Sequence, residues 1–133
     1  MDDSTELVEA YTALERIYQP FSDDGHAWKG DVVRLEEILR RRDQALAEGA
    51  ELVQRISEVW STWETRGPDA GERARVFSAR NRIVELGLAV SRADAALQSR
   101  IRRKADDLRK LAVDTGNRQK ATMAYRQGRR PFA

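Results

Sequence analysis

The chain has 133 residues, of which 41% are hydrophobic and 35% are charged, with three prolines and no cysteine. This length fits one domain, and the lack of cysteine excludes disulfides, thiolate metal sites and cysteine nucleophiles. High charge with few helix breakers predicts long helices, so we expect an all-α protein. No secretory signal or membrane-length apolar run is present, which predicts a soluble, cytoplasmic protein without membrane insertion.

The net charge of +2 hides an uneven distribution along the chain. Residues 100–133 contain eleven Lys or Arg and three Asp and carry +8, whereas residues 1–99 contain thirteen basic and nineteen acidic residues and carry −6. Such polarity affects the choice of partner and the rate of association rather than the fold.

The first predicted element is a helix over residues 5–19. Ser4 is a plausible N-cap, and Pro20 is expected to end the helix because proline has no amide donor. Residues 21–31 contain Gly and Asp and are predicted to form a loop, in which His26 is a plain loop residue rather than a metal ligand. The apolar stripe of this helix recurs at intervals of three and four: Leu7, Tyr11, Leu14 and Tyr18.

The second predicted helix covers residues 32–65, after Asp31 as its N-cap. It has a broad apolar stripe that we expect to be buried against neighbouring helices. Arg42 and Gly49 interrupt the second row of this stripe. The rows are Val32, Leu39, Leu46, Val53 and Trp60, then Leu35, Ile56 and Trp63, then Ile38, Ala45, Leu52 and Val59. We expect Trp60 and Trp63 to pack in the core rather than to form a ligand platform.

The third predicted helix is the longest, at residues 72–126. Its apolar positions step by seven residues up to Leu97 and by eleven from Leu97 to Leu108, which relaxes a left-handed supercoil. A short turn joins it to the second helix, so these two should form an antiparallel hairpin. We therefore predict an elongated, three-helix bundle-like hairpin as one domain over 1–133, with a flexible tail at 127–133.

The end of the third helix is the predicted partner-binding site. This helix should extend beyond the other two, so its last apolar residues should lack intramolecular neighbours and offer a binding surface. The predicted apolar anchors are Ile101, Leu108, Leu111, Met123 and Tyr125. The predicted electrostatic contacts are Arg109, Lys120 and Arg126.

Nothing in the sequence predicts a catalytic site, a metal or a cofactor. No phosphate-binding glycine loop, HExxH pair or nucleophile elbow occurs. Paired carboxylates such as Asp106 and Asp107 are adjacent and do not converge on a helix surface. A helical, arginine-rich lyase or mutase would need several inward arginines, and only Arg42 is expected to point inward.

Two other functions remain open from the residues alone. The basic segment 100–130 could bind nucleic acid through phosphate contacts, although three interspersed aspartates and the absence of a helix-turn-helix or zipper pattern disfavour this. The apolar stripe could instead pair two copies of the chain as a homodimer. We predict a protein partner ahead of both.

The stretch RRRDQALAEGAELVQRI at 40–56, the LRKL step at 108–111 and the closing KATMAYR at 120–126 resemble flagellar export chaperones of the FliT/FlgN type. The resemblance covers roughly residues 35–126. It implies a small helical chaperone that binds a flagellar subunit, of the filament-cap or hook-junction type, and presents it to the type III export apparatus. Residues near the end of the third helix would capture an amphipathic helix of that subunit.

Overall fold

The computed structural model describes residues 2–128 and is all-α, as the sequence predicts. It contains α1 at Asp3–Ala27, α2 at Val32–Arg66 and α3 at Ala70–Gly128. The contacts divide the chain into one unit up to Leu97 and another from Gln98 onward. The single domain over 1–133 stays a prediction, and residues 129–133 of the predicted tail lie outside the described residues.

The start of α1 differs from the prediction, because Asp2 and not Ser4 is its N-cap. The Oδ1 of Asp2 accepts a hydrogen bond from the Thr5 amide at 2.8 Å. That bond lowers the pKa of the Asp2 carboxyl. Ser4 is completely buried, and its hydroxyl is used in contacts with other helices.

The predicted end of α1 at Pro20 is also wrong, since the helix continues to Ala27. Pro20 lacks the amide that would bond to the carbonyl of Arg16. Both residues are exposed, so that carbonyl lies on the side of the helix that faces water. Beyond it, Phe21 and Gly25 are buried and hold this turn against the rest of the bundle. His26 therefore lies in the last turn of a helix rather than in a loop.

The ends of α2 and the turn after it follow ordinary capping chemistry. Asp31 caps α2 as predicted, accepting from the Val33 amide at 3.0 Å. Gly67 ends α2 with a left-handed φ of 76°, which glycine adopts without steric cost. Asp69 and Glu72 then form a reciprocal capping box, in which the Asp69 side chain accepts from the Glu72 amide at 2.8 Å.

In residues 2–97, the contacts set the directions of the three helices. Ser4 bonds to Trp63 near the end of α2, whereas Glu6 pairs with Arg55, so α1 and α2 are antiparallel. Glu15 of α1 pairs with Arg82, which makes α1 parallel to this part of α3. The predicted antiparallel hairpin of α2 with α3 is therefore present. Its central buried cluster is Leu7, Tyr11, Trp63, Val76 and Ala79.

Two irregular positions of α2 are explained by side chains from α1. Arg42 points inward as expected, where it forms an ion pair with Asp94 and lies 5.3 Å from the ring centre of Phe21. A Cβ added at Gly49 would overlap the hydroxyl of Tyr18. The arginine and the glycine thus make room for, and contact, the second half of α1.

The predicted burial of one heptad row of α2 is wrong. Four members of that row are exposed by 45 to 56%, and Trp60 is only partly buried: Val32, Leu39, Leu46 and Val53 are the exposed four. The buried side of α2 is instead centred on Ile38, Gly49 and Trp63. Two neighbouring helices cover one side of α2, and the apolar stripe is wider than that side.

Candidate protein-binding surfaces

The first candidate surface is the helical segment 98–128, which contains all eight predicted site residues. No residue described in this segment is buried. Leu108 is 49% exposed and Leu111 is 61% exposed, and Met123 and Tyr125 are similarly open. Ile101 is partly buried, whereas the predicted electrostatic residues Arg109, Lys120 and Arg126 are exposed.

The helix brings some of these residues to one face and separates others. At about 100° per residue, Ile101, Leu108 and Met123 fall within roughly 60° of one another. Leu111 lies roughly 60° to the side of Leu108 by the same count. Met123 and Tyr125 are two positions apart and point to nearly opposite sides of the helix. The predicted anchors therefore form a face around Leu108, with Tyr125 outside it.

The charges of this segment are mostly solvated. Arg109 pairs with Asp106 of the same helix at 3.5 Å, and both side chains are well exposed. An exposed pair of this kind contributes little to stability. The remaining Lys and Arg residues give the segment a positive surface around the apolar face.

The second candidate surface is a pair of clefts between α2 and the first part of α3. One cleft of about 570 Å³ is lined by Tyr11, Val53, Trp60, Phe77 and Arg80, among others. The guanidinium of Arg80 lies 5.4 Å from the ring centre of Trp60 and forms one wall. Glu64 accepts a hydrogen bond from the Trp60 indole at 3.2 Å. This cleft is aromatic, with one charge of each sign at its edge.

The other cleft has a volume of about 310 Å³ and an apolar lining. Leu46, Ile83, Gly87 and Val90 contribute to its walls, and the Arg42–Asp94 pair lies beside them. The two clefts lie beside the exposed row of α2, since Val53 lines one and Leu46 lines the other. We call the row Val32, Leu39, Leu46 and Val53 the outer row of α2.

A polar network where α2 ends and α3 begins is structural in character. The Ser4 hydroxyl accepts from the Trp63 indole at 2.8 Å and donates to Glu72 at 2.5 Å. Hydrogen bonds from Arg66, and then from Ser4, lower the pKa of Glu72 to about 2. Arg66 also bonds to Asp3, lowering the pKa of that carboxyl. The network joins the starts of α1 and α3 to the end of α2.

Among residues 2–128 no group of three or more His, Cys, Asp and Glu side chains could hold a metal ion. Over the same residues no helix has the length and apolar character that crossing a membrane requires. The clefts and exposed rows are suited to contacts with other helices.

The outer row of α2 and the clefts beside it were not predicted from the sequence to be a binding surface. The seven-residue spacing of that row was visible, but spacing alone does not tell which row of a wide stripe is covered. One signal was available: Gly87 interrupts α3 with a residue that weakens helices. A Cβ at Gly87 would meet nothing within 4 Å, so packing within the chain does not require glycine there.

Comparisons of the chain with protein families, with curated proteins and with solved structures find no match.

Proposed function

We propose that the protein is a non-enzymatic, cytoplasmic export chaperone or adaptor. Its client would be a flagellar structural subunit of the filament-cap or hook-junction type, which it delivers to the type III export apparatus. The flagellar part of this proposal rests on the resemblance of residues 35–126 to FliT/FlgN-type chaperones. The binding step rests on the geometry of segment 98–128.

The observation that carries the binding step is the exposed apolar face around Leu108. Leu108 leaves about half of its surface in water and Leu111 leaves 61%, although burying such side chains is favourable. An amphipathic helix of a client could cover this face and leave its own polar side in solvent. Arg109 and Lys120 lie on one flank of the face and Arg126 lies in line with Leu108, and this positive charge would speed encounter with an acidic client.

The test is a comparison of two variants of the full chain as bait in lysate of the source organism. The double substitution Leu108→Ala/Leu111→Ala removes part of the face. Val113→Ala is a matched control, because Val113 is also 61% exposed but lies on the other side of the helix. Bound proteins are identified by mass spectrometry after washes at moderate and high salt.

We expect a flagellar subunit or export component to be retained through high salt by the parent chain and by Val113→Ala. Truncating two apolar contacts should weaken its binding by roughly 10- to 100-fold. Helicity by circular dichroism should be unchanged, because exposed substitutions shift stability by about 0.5 kcal/mol or less. Equal retention by all three baits would contradict the proposal.

A second function is favoured by one observation, the exposed Lys and Arg side chains of the same segment. Nucleic acid would bind them through phosphates, with an affinity that falls steeply as salt rises. In the same experiment, nucleic acid released at high salt, with no protein client and no effect of Leu108→Ala/Leu111→Ala, would replace the chaperone proposal.

A further inference from the structure

We propose that two copies of this chain associate through the outer row of α2, with their α2 helices antiparallel about a twofold axis. All of the residues involved lie within 2–97, so this homodimer surface is separate from the client-binding face on 98–128. The inference goes beyond the proposed function and stands or falls independently of it.

The outer row has the spacing of a helix-pairing seam. Its four members follow one another at seven-residue steps, and each is about half exposed. At about 1.5 Å per residue the row extends for roughly 32 Å along α2. A seven-residue apolar repeat is what keeps two helices in contact as they wind around each other. The adjacent side of α2, centred on Ile38, Gly49 and Trp63, is already covered by α1 and α3.

The cleft beside Leu46 provides a place for a side chain from a second copy. Gly87 lines this cleft, and the space next to its Cα is open. A glycine inside a helix costs about 1 kcal/mol relative to alanine, and no contact within the chain explains it. Its absent side chain widens a cleft whose walls include the apolar side chains of Leu46, Ile83 and Val90, with the Arg42–Asp94 pair at one side. A leucine of the partner's outer row has the chemistry to enter it.

Charge indicates a second copy as the occupant and selects the antiparallel direction. Arg40 and Asp43 are exposed on the same flank of the outer row, and neither makes an ion pair in the described chain. The midpoint of the row falls between positions 42 and 43. An antiparallel pair about this midpoint sets Leu39 opposite the second copy's Leu46 and brings Arg40 within about 3 Å, along the axis, of the level of the second copy's Asp43.

The same contacts then occur twice, as the symmetry of a closed dimer requires. The two Asp43 carboxylates approach each other near the axis, and the two Arg40 side chains neutralise them. In a parallel pair, whose twofold axis runs along the helices, this flank of one copy lies on the opposite side of the seam from the same flank of the other, so Arg40 and Asp43 cannot pair across it. The flank is thus complementary to itself only in the antiparallel direction.

The first test is sedimentation of the full chain at about 1 to 200 µM, a range that brackets dimers held by one helical seam. We expect a monomer–dimer equilibrium. Leu46→Glu should raise the dissociation constant at least about 30-fold, because it puts a charge into an apolar seam. Leu88→Glu is the control: Leu88 is 57% exposed but does not line either cleft, so its dissociation constant should match the parent.

A charge exchange tests the direction. Arg40→Asp should weaken the dimer by about 10-fold, and adding Asp43→Arg to it should restore most of the loss. Because the chain has no cysteine, a mixture of Leu39→Cys and Leu46→Cys chains can be oxidised to find neighbours. We expect disulfides between the two different variants in preference to those between like chains.

Four results would overturn the inference. A monomer throughout the concentration range would remove the dimer. Preferential disulfides between two Leu39→Cys chains and between two Leu46→Cys chains would show the parallel direction. A dimer that survives Leu46→Glu but is lost in Leu108→Ala/Leu111→Ala would place self-association on segment 98–128. Loss of the client from lysate with Leu46→Glu alone would show that another protein covers the outer row.

Discussion

Residues 2–97 and residues 98–128 contain the same kind of amphipathic helix but use it differently. All thirteen buried hydrophobic side chains found among the described residues belong to the first region, and no described residue of the second is buried. Leu97 is almost fully buried, whereas Leu108, eleven residues later on the same helix, is half exposed. An apolar row becomes core only where other helices cover it, and elsewhere it remains available to a partner.

The largest expected change in stability that tests this contrast comes from replacing Trp63 by alanine. Its side chain is fully buried, its ring lies 4.9 Å from that of Trp60, and its indole donates to Ser4. Trp63→Ala should lower the free energy of unfolding by about 3 to 5 kcal/mol, through lost burial and a cavity. Denaturant unfolding followed by circular dichroism measures the change.

Leu111→Ala is the counterpart in the second region. Leu111 is exposed, so its truncation should alter the free energy of unfolding by about 0.5 kcal/mol or less. Similar losses from Trp63→Ala and Leu111→Ala would break the contrast between a packed region and an open one.

Alanine substitutions at two glycines should change the free energy of unfolding in opposite directions. A Cβ at Gly25 would lie 2.8 Å from the Cβ of Ala93 and 2.9 Å from its carbonyl oxygen, so α1 would have to move. Gly25→Ala should therefore cost about 1 to 3 kcal/mol by overpacking. At Gly116 a Cβ would meet nothing within 4 Å, and Gly116→Ala should strengthen helix formation by about 0.5 to 1 kcal/mol.

Thermal unfolding of the two alanine variants tests the pair. The Tm of Gly25→Ala should fall below that of the parent chain, and the helix of Gly116→Ala should melt at the same or a higher temperature. A loss at Gly116 as large as that at Gly25 would mean that segment 98–128 is packed more closely than its exposure indicates.

The smallest expected effect concerns the carboxylate of Glu72. Its pKa falls from an ordinary 4.5 to about 2 because Arg66 and Ser4 donate to it. Because the pKa of Glu72 is lower in the folded chain, its charged carboxylate stabilises the fold at pH values above the pKa of the unfolded chain. This stabilisation disappears as the pH falls from about 4.5 to about 2. Glu72→Gln should lower the Tm near neutral pH, and the difference from the parent should close over that acidic range.

Asp106→Asn is the control for this measurement, since it removes an exposed ion pair with Arg109 from the second region. Such a pair contributes little, so the Tm should be nearly unchanged at every pH. If Glu72→Gln differed from the parent equally at all pH values, the effect would come from altered packing rather than from the charged carboxylate.

The helices themselves were largely predictable from the sequence. Asp31 and the turn around Gly67 place the boundaries of α2, and the absence of proline between Pro68 and Pro131 lets α3 continue through Gly116. These predictions are confirmed because they depend on capping and on backbone restrictions, which act between near neighbours in the chain.

The end of α1 was not predictable in the same way. Pro20 disfavours helix locally, but burial of Phe21 and Gly25 outweighs the loss of one hydrogen bond. The predicted cap at Ser4 failed for a related reason, since Trp63 and Glu72 use its hydroxyl from elsewhere in the chain. In both places contacts distant in sequence override a local preference.

By itself, the sequence determined an all-α chain, the turn between α2 and α3, and the set of side chains able to form a core. Only the tertiary structure decided which of these side chains are covered, because coverage depends on how many helices pack around each one. The outer row of α2 and the core row beside it have the same heptad spacing, and they differ only in their neighbours. The candidate binding surfaces are the apolar rows that those neighbours leave exposed.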